Sequence, residues 1–418
     1  MKVGQLILLI TLLLTSKEVL TADLIADKTA SQLNMEPYIS YYFDTSKNLE
    51  IADIKNTNNT LTWISPADKH LDFSISDAAV WIKATLNNSS DTPITRVIEL
   101  PYSLIDSVEF YHINPGGRLL SNYIMGSELP FYSRPIPHHN FVIPVTLAAN
   151  SSSEIFLRLM GSHSLQAYIQ LWTNEAFWER SQRENQRNFV YFSLVLALMA
   201  YALYRSSAQP RIRRVIFPGM VITPLLALLT IEGYAFQYVW PEHPFWNKVG
   251  LATLIPGSLT FLSLYTYIIF SKMAAGDRWH HSLLSLSVIN IFLLLAPIVI
   301  NYDTALTIGL IAALMYLALL GYLSIKHWAK LSHPNRVTIL GFSWLSISTL
   351  IFILEITSII PSFPLIEAPL QVGFFLFIFS LFWAQLSIYT RARSLSKKKA
   401  ATLEDVTLPT QVDTNACQ

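Results

Sequence analysis

The chain contains little cysteine and little charge. Cys417 is its single cysteine, so no disulfide can form within the chain, and any domain outside the cell must be held together by its hydrophobic core. Charged residues make up 14% of the 418 residues and hydrophobic residues 52%, with a mean hydropathy of +0.38. Soluble domains usually carry about 25% charged residues. The composition therefore argues against an ordinary soluble protein and predicts a membrane protein.

Residue patterns for metal or catalytic chemistry are also scarce. No Cys/His spacing typical of a metal site occurs, and no apolar stretch combines histidine with acids at ligand spacing. This argues against a membrane-embedded metal hydrolase or hydroxylase. We therefore predict no metal, no cofactor and no enzymatic activity.

The few charges are unevenly distributed along the chain. Residues 23–187 contain 12 Lys/Arg and 18 Asp/Glu, whereas residues 188–418 contain 15 Lys/Arg and 9 Asp/Glu. An acidic first half and a basic, apolar second half are expected of a protein that faces two compartments.

The N-terminus has the pattern of a secretory signal peptide. Lys2 precedes the apolar run Leu6–Leu14, and the small residue Ala22 offers a cleavage point. We predict a signal peptide over residues 1–22, with an uncleaved anchor as the alternative. In both cases the next segment lies outside the cytoplasm.

Residues 23–174 predict an all-β domain. Short aromatic and β-branched segments are separated by turn signals such as Asn114-Pro115-Gly116-Gly117, and several strands at this spacing favour a sandwich or jelly roll. The predicted strands cover residues 38–43, 80–88, 95–100, 106–113, 140–147, 154–161 and 165–172. Residues 175–187 follow as a polar helical connector with Glu179/Arg183 and Arg180/Glu184 at i,i+4 spacing.

Seven apolar stretches within residues 188–390 each have about the length needed to cross a bilayer. They cover residues 188–204, 215–232, 249–271, 282–300, 304–323, 337–357 and 368–390. The fold prediction is thus a membrane protein with an N-terminal β-sandwich or jelly-roll ectodomain followed by a seven-helix transmembrane bundle.

Basic residues in the loops predict the orientation. The loops after the first, third and fifth stretches, together with the tail, contain nearly all of them, whereas the alternate loops contain Lys248. The positive-inside rule places the β domain in the periplasm and the tail, residues 391–418, in the cytoplasm. We therefore expect a multi-pass protein of a bacterial inner membrane.

The segment "SELPFYSRPIPHHNF" (127–141) supplies the candidate ligand site of the β domain. Arg134, His138, His139 and Asn140 stand there beside aromatic residues. Arginine suits a carboxylate or phosphate, and aromatic rings stack on sugar faces. We predict that these four residues bind a small periplasmic ligand, with carbohydrate as one class; ordinary solvated groups in a proline-stiffened loop are the alternative.

Two acids near the outer ends of the apolar stretches, Glu232 and Glu355, are candidates for a membrane relay. An acid inside a membrane is a functional-site hypothesis by default, although both could simply reach headgroup water. If they instead lined a transport path, the protein would be a transporter or permease subunit with a β docking domain. No convincing internal repeat supports that alternative.

The order of these parts resembles a known family. "VWIKATLNN", "IELPYSLIDSVEFYHI", "MGSELPFYSRPIPHHNFVIPV" and "EIFLRLMGSHSLQAYIQLW" resemble the second type of extracellular domain of the bacterial seven-transmembrane receptors with diverse intracellular signalling modules (7TMR-DISM). "IEGYAFQYVWPEHPFW" (231–246) is similar to that family's loop after the second span. The likeness covers about residues 35–390 and implies a carbohydrate-binding-like jelly roll.

The resemblance implies a membrane receptor that binds a ligand and relays it through seven helices. Two departures stand out: "AYALYRSS" (200–207) replaces a Leu-Tyr-Asn-type motif, and only a short tail stands where relatives carry an output domain. We therefore expect a separate cytoplasmic signalling protein as partner. The predicted contacts of that partner are Arg391, Arg393, Lys397, Lys398 and Lys399. The lipid bilayer and a second copy of the chain are further expected partners, and nucleic acid is not.

Overall fold

The computed structural model describes residues 24–25, 30–57, 61–66, 73, 78–161, 168–274, 276–356 and 367–407, which form two compact units. The β unit contains the described residues up to Arg187 together with Leu229–Leu251 and Ile356. The helical unit contains Asn188–Leu228, Ala252–Glu355 and the described residues from 367 onward. The predicted signal peptide, residues 1–22, lies outside the described residues.

In the described part of the β unit, ten strands form two sheets. The strands are β1 Leu24–Ile25, β2 Gln32–Asn34, β3 Ile39–Asp44, β4 Ala79–Asn88, β5 Ile94–Leu100, β6 Ser107–Ile113, β7 Leu119–Met125, β8 Phe141–Leu147, β9 Ser151–Met160 and β10 Gln170–Thr173. The large sheet has the order β1-β4-β9-β6-β7, with β3 also paired to β4. The small sheet has the order β2-β10-β5-β8. Apart from the parallel pair β1–β4, neighbouring strands are antiparallel.

The two sheets pack face to face around one hydrophobic core, as the predicted sandwich requires. Alternate residues of each strand enter this core because successive side chains point to opposite faces. In β8, Phe141, Ile143, Val145 and Leu147 are all fully buried. Pro144 is tolerated within this strand because β8 lies at a sheet edge. An edge strand has one side without a neighbouring strand, so the N–H that proline lacks is not needed for pairing.

The outer face of the large sheet has its own apolar cover. Trp81 and Phe156 lie on that face and pack against Ile54 of the short helix α1, Ile51–Thr57. Trp81 is completely buried. Trp81 is therefore a core residue of this face, and its ring is not exposed to a ligand.

Among the described residues, seven helices are long and apolar enough to cross a membrane, which confirms the seven-helix prediction. The helices after α1 are α2 Asn174–Ser206, α3 Arg211–Ile231, α4 Tyr234–Tyr238, α5 Pro244–Phe270, α6 Arg278–Leu293, α7 Ala296–Val299, α8 Tyr302–His327, α9 His333–Ile356 and α10 Glu367–Thr407. The fourth span comprises α6 and α7, and α7 contains Pro297. This break agrees with the kink that a proline imposes on a helix.

Within the helical unit, α9 and α10 approach closely at small residues. A Cβ added to Gly373 would lie 2.0 Å from Oγ of Ser348, and one added to Gly341 would lie 2.8 Å from Cβ of Ser380. Small residues at such contacts let two helix backbones come together in a membrane, where van der Waals packing drives association.

Candidate functional site

The first turns of α2 cover the outer face of the small sheet. Phe177 is buried there against Val97, Val142 and Trp172. At the start of the helix, Oγ1 of Thr173 accepts a hydrogen bond of 3.2 Å from a backbone N–H of the first turn. The predicted connector is therefore a helix whose position on the sheet is fixed by apolar packing.

Beside this apolar contact, the small sheet carries a buried acid, Glu99. Its side chain is 1% exposed and forms an ion pair with Arg180 of α2. Nδ2 of Asn140 donates a second hydrogen bond of 2.9 Å to the same carboxylate. Asn140, predicted as a ligand residue, thus ties β5 to the loop that precedes β8.

Two neighbouring histidines of that loop stack against each other and face α2. The rings of His138 and His139 have centroids 4.1 Å apart, and Nε2 of His138 lies 3.2 Å from Oγ of Ser181. Burial, followed by the neighbouring His139, lowers the pKa of His138 to about 3. This imidazole is therefore neutral near pH 7.

His139 faces an acid of the connector, with its Nε2 3.8 Å from Oε1 of Glu184. Burial raises the pKa of Glu184, but the facing His139 and the charges of Arg180 and Arg187 outweigh it and bring that pKa to about 2. The carboxylate is consequently ionised throughout the physiological range.

Arg134 fastens the loop from inside. Its side chain is buried, and Nη1 donates hydrogen bonds to the carbonyl oxygens of His138 at 2.6 Å, His139 at 2.8 Å and Asn140 at 3.4 Å. One guanidinium therefore fixes the backbone of all three other predicted ligand residues.

Aromatic rings surround the same guanidinium. The Arg134 Cζ atom lies 4.8 Å from the ring centroid of Phe131, 4.2 Å from that of Phe141 and 5.7 Å from that of Phe236. Such cation–π contacts are worth more when the cation is desolvated. Phe236 comes from α4, in the loop after α3, so this aromatic cage joins two distant parts of the chain.

The loop after α3 packs closely on the sandwich at Gly233. A Cβ added to this residue would lie 2.8 Å from Cβ of Ser103 and 3.0 Å from the carbonyl oxygen of His139. Its φ of 77° also lies in the left-handed region that favours glycine. Oγ of Ser103 donates to the carbonyl oxygen of Ile231 at 3.1 Å, and the ring of Tyr234 lies 4.8 Å from that of His139.

These contacts define what we term the buried polar cluster: Glu99, Arg134, His138, His139, Asn140, Arg180 and Glu184. The four predicted ligand residues all belong to it, but they lie inside the β unit rather than in an open groove. Glu99 and Gly233 were not anticipated from the sequence. Two features of the sequence could have indicated what packs against the predicted ligand residues. One is the i,i+4 pair Arg180/Glu184 of the connector, and the other is the loop 231–246 that resembles the family.

The remaining predicted residues lie elsewhere in the chain. Glu232 is buried in the loop after α3, whereas the side chain of Glu355 lies outside the described part of the structure. Arg391 and Arg393 are exposed on α10, and the side chains of Lys397, Lys398 and Lys399 are not among those described. A meeting of Glu232 with Glu355 and a cytoplasmic partner both stay predictions.

The buried polar cluster holds ionised side chains inside the β unit. Within the described residues, no group of three His, Cys, Asp or Glu side chains could hold a metal ion. The cluster's hydrogen bonds and ion pairs join the strand β5, the loop before β8 and the helix α2. This arrangement suits binding and mechanical coupling.

Comparisons with known families agree with this architecture. Residues 36–173 match the family model described as 7TMR-DISM extracellular 2, and residues 184–386 match the one described as 7TM diverse intracellular signalling. The two matches together cover β3 to β10 and extend from within α2 to within α10. No curated protein matches the chain.

Proposed function

Because the chain belongs to the family of seven-transmembrane receptors with diverse intracellular signalling modules and has the family's second type of extracellular domain, we propose that it acts as a receptor. In this proposal the β domain binds a small ligand. The seven helices then relay the binding event to a separate cytoplasmic protein. Family membership itself makes it a multi-pass membrane sensor with an extracellular N-terminal domain. The ligand, the relay and the partner are the proposal.

The observation that supports this function most directly is the position of the buried polar cluster. The cluster joins the sandwich to the first turns of α2, and α2 continues without a break from Asn174 to Ser206. Because an α-helix is a hydrogen-bonded rod with a rise of about 1.5 Å per residue, a shift of its first turns moves the apolar turns that follow.

The loop after α3 offers a second route for the signal. It contacts the sandwich at Ser103, Phe131 and His139, and it connects α3 to α5. Glu232 lies in this loop next to Gly233. We propose Glu232 as a relay residue on this ground, and Glu355 stays a candidate from the sequence alone.

The proposed output side is the cytoplasmic face of a bacterial inner membrane. The basic residues of the tail support this side, since positive residues are retained in the cytoplasm. We propose that the partner reads the bundle through Arg391–Lys399 and the neighbouring inner loops. Deleting residues 400–418 should then leave signalling intact, whereas neutralising Arg391–Lys399 should weaken it; the reverse pattern would contradict this assignment.

The ligand-binding step can be tested on the full chain in nanodiscs. The full chain is needed because Phe236 and Tyr234 complete the cluster and would be missing from a fragment that ends at Arg187. A ligand among sugars, cell-wall fragments and small anions should raise the melting temperature saturably, since binding to the native state stabilises it by mass action. Absence of any saturable shift across the panel, or flux of the bound solute through proteoliposomes, would contradict a receptor.

A further inference from the structure

One edge of the Arg134 guanidinium has no hydrogen-bond partner in the described part of the chain. Nη1 donates hydrogen bonds to the three carbonyl oxygens. Nε and Nη2 are buried and make no hydrogen bond to any described residue. The N–H groups of these two nitrogens point the same way in the guanidinium plane. Arginine uses this kind of paired edge to bind a carboxylate or phosphate with two parallel hydrogen bonds.

Neither carboxylate of the buried polar cluster pairs directly with Arg134. The carboxylate of Glu99 is paired with Arg180, and Glu184 lies near Arg180 and Arg187 of its own helix. The side chain of Arg134 is 5% exposed, and burial lowers its pKa to about 9. Carbonyl oxygens and ring faces stabilise the cation in part, but a buried charge is most favourable beside a counter-charge.

We propose that Arg134 anchors an anion site, in which a carboxylate or phosphate group of a small ligand accepts hydrogen bonds from Nε and Nη2. The proposal makes the ligand of the receptor an anion. The signalling role of the anion site rests on the proposed receptor function. The guanidinium of the site contacts the rings of Phe131 and Phe141 of the sandwich and of Phe236 of the loop after α3. Sugar acids, other organic acids and inorganic phosphate all have the required group.

The position of the anion would link its binding to the loop. The paired edge is buried by the surrounding residues, so an anion reaches it when the cage opens, with Phe236 as the cage residue outside the sandwich. Once bound, the anion neutralises Arg134 and removes the penalty of its burial. Anion binding would therefore change how firmly the loop is held on the sandwich.

The test uses the full chain in nanodiscs made of uncharged lipid, at constant ionic strength. Inorganic phosphate, acetate and glucuronate are titrated separately, glucose serves as the uncharged counterpart of glucuronate, and the melting temperature is recorded. We expect a saturable rise with at least one anion. Arg134→Lys keeps the charge but loses the planar paired edge, so it should raise the apparent Kd about tenfold or more. Arg118→Gln, which removes one positive charge from an exposed site of the same domain, should leave the Kd unchanged.

The outcomes separate the anion site from the receptor function. No saturable anion effect in the wild-type protein, or an effect of equal affinity in Arg134→Lys, would overturn the anion site. If glucose or another neutral ligand still binds saturably in that case, the proposed receptor function stands. A wild-type titration without a saturable anion effect overturns the site even if a variant fails to fold. Differences among the three anions identify which source of the charged group the site prefers.

Discussion

Replacing Gly233 with alanine should release the loop after α3 from the sandwich. The added Cβ would lie 2.8 Å from Cβ of Ser103 and 3.0 Å from the carbonyl oxygen of His139, both closer than ordinary contact. Neither atom is the end of a flexible side chain, so the loop must move.

The magnitude follows from two contributions. An L-residue in the left-handed region, here at φ 77°, costs about 1–2 kcal/mol relative to glycine. Overpacking a tight contact costs about 1–3 kcal/mol more. A total near 3 kcal/mol shifts the equilibrium between the attached and released loop roughly 100-fold, since 1.36 kcal/mol corresponds to a factor of ten.

Hydrogen exchange gives a direct assay, because the backbone N–H of Phe131 donates to the carbonyl oxygen of Pro241 in the loop at 2.9 Å. Exchange at this amide reports opening of the contact. We expect Gly233→Ala to accelerate exchange at the Phe131 amide roughly 100-fold. The opening free energy of the contact in the wild-type protein sets the upper limit of this acceleration.

Gly117→Ala is the matched control. Gly117 has the same φ of 77°, but an added Cβ would meet only the flexible end of Lys55, at 3.5 Å. This variant carries the backbone penalty without the steric one, and it should leave the Phe131 amide unchanged. If the Phe131 amide of Gly233→Ala exchanged at the wild-type rate, the close contact at Gly233 would be refuted. Partial recovery in Ser103→Gly/Gly233→Ala would identify Ser103 as one of the two obstacles.

Three further outcomes test the cluster and the topology. Arg180→Gln removes the partner of the Glu99 carboxylate, which is 1% exposed, and should destabilise β5 by about 2–3 kcal/mol. The control is Arg183→Gln: the side chains of Arg183 and its partner Glu179 are 65% and 69% exposed, so stability should change by at most about 0.5 kcal/mol. Hydrogen exchange of the β5 amides measures both effects. Because the pKa of His138 falls from 6.5 to about 3 on folding, the unfolded chain takes up a proton first, and stability is lost as the pH falls from 6.5 towards 3. The slope approaches 1.4 kcal/mol per pH unit, and this contribution should disappear in His138→Gln when stability is followed from pH 6.5 to 4.5. Finally, a membrane-impermeant maleimide applied to intact spheroplasts should label Gly116→Cys but spare Cys417; labelling of Cys417 would contradict a cytoplasmic tail.

The sequence predicted the elements that have a strong period or a long apolar run. β4 and β8 alternate apolar residues on one face, which is the signature of a half-buried strand, and both were predicted almost to their ends. The seven spans follow from hydropathy because each crosses the same thickness of hydrocarbon.

The elements that the sequence missed lack such a signal. β7, Leu119–Met125, lies at a sheet edge with Leu119, Leu120 and Ile124 largely exposed, so its apolar residues do not alternate cleanly. α1 has seven residues, too few to show a helical period. Both are recognised through what they pack against, and a single sequence does not reveal this.

The candidate site was predictable within one segment and not beyond it. Arg134, His138, His139 and Asn140 lie within seven positions, and their polar side chains identified them together. Their burial depends on Arg180 of α2 and on Gly233 of a loop about one hundred positions further along the chain. Contacts at such separations leave no periodic pattern, and for this reason a solvated loop was a natural alternative.

In the proposed relay, these distant contacts add a second way for a signal to leave the β unit. The sequence predicted one connection, the helical connector over residues 175–187. The structure assigns Leu229–Leu251 to the same unit, so α3 and α5 are joined to it as directly as α2 is. Arg180→Gln weakens the hold on α2, whereas Gly233→Ala weakens the hold on the loop between α3 and α5. If the connector alone carried the signal, Arg180→Gln would abolish the response and Gly233→Ala would leave it intact; loss in both variants would show that the loop between α3 and α5 carries the signal as well.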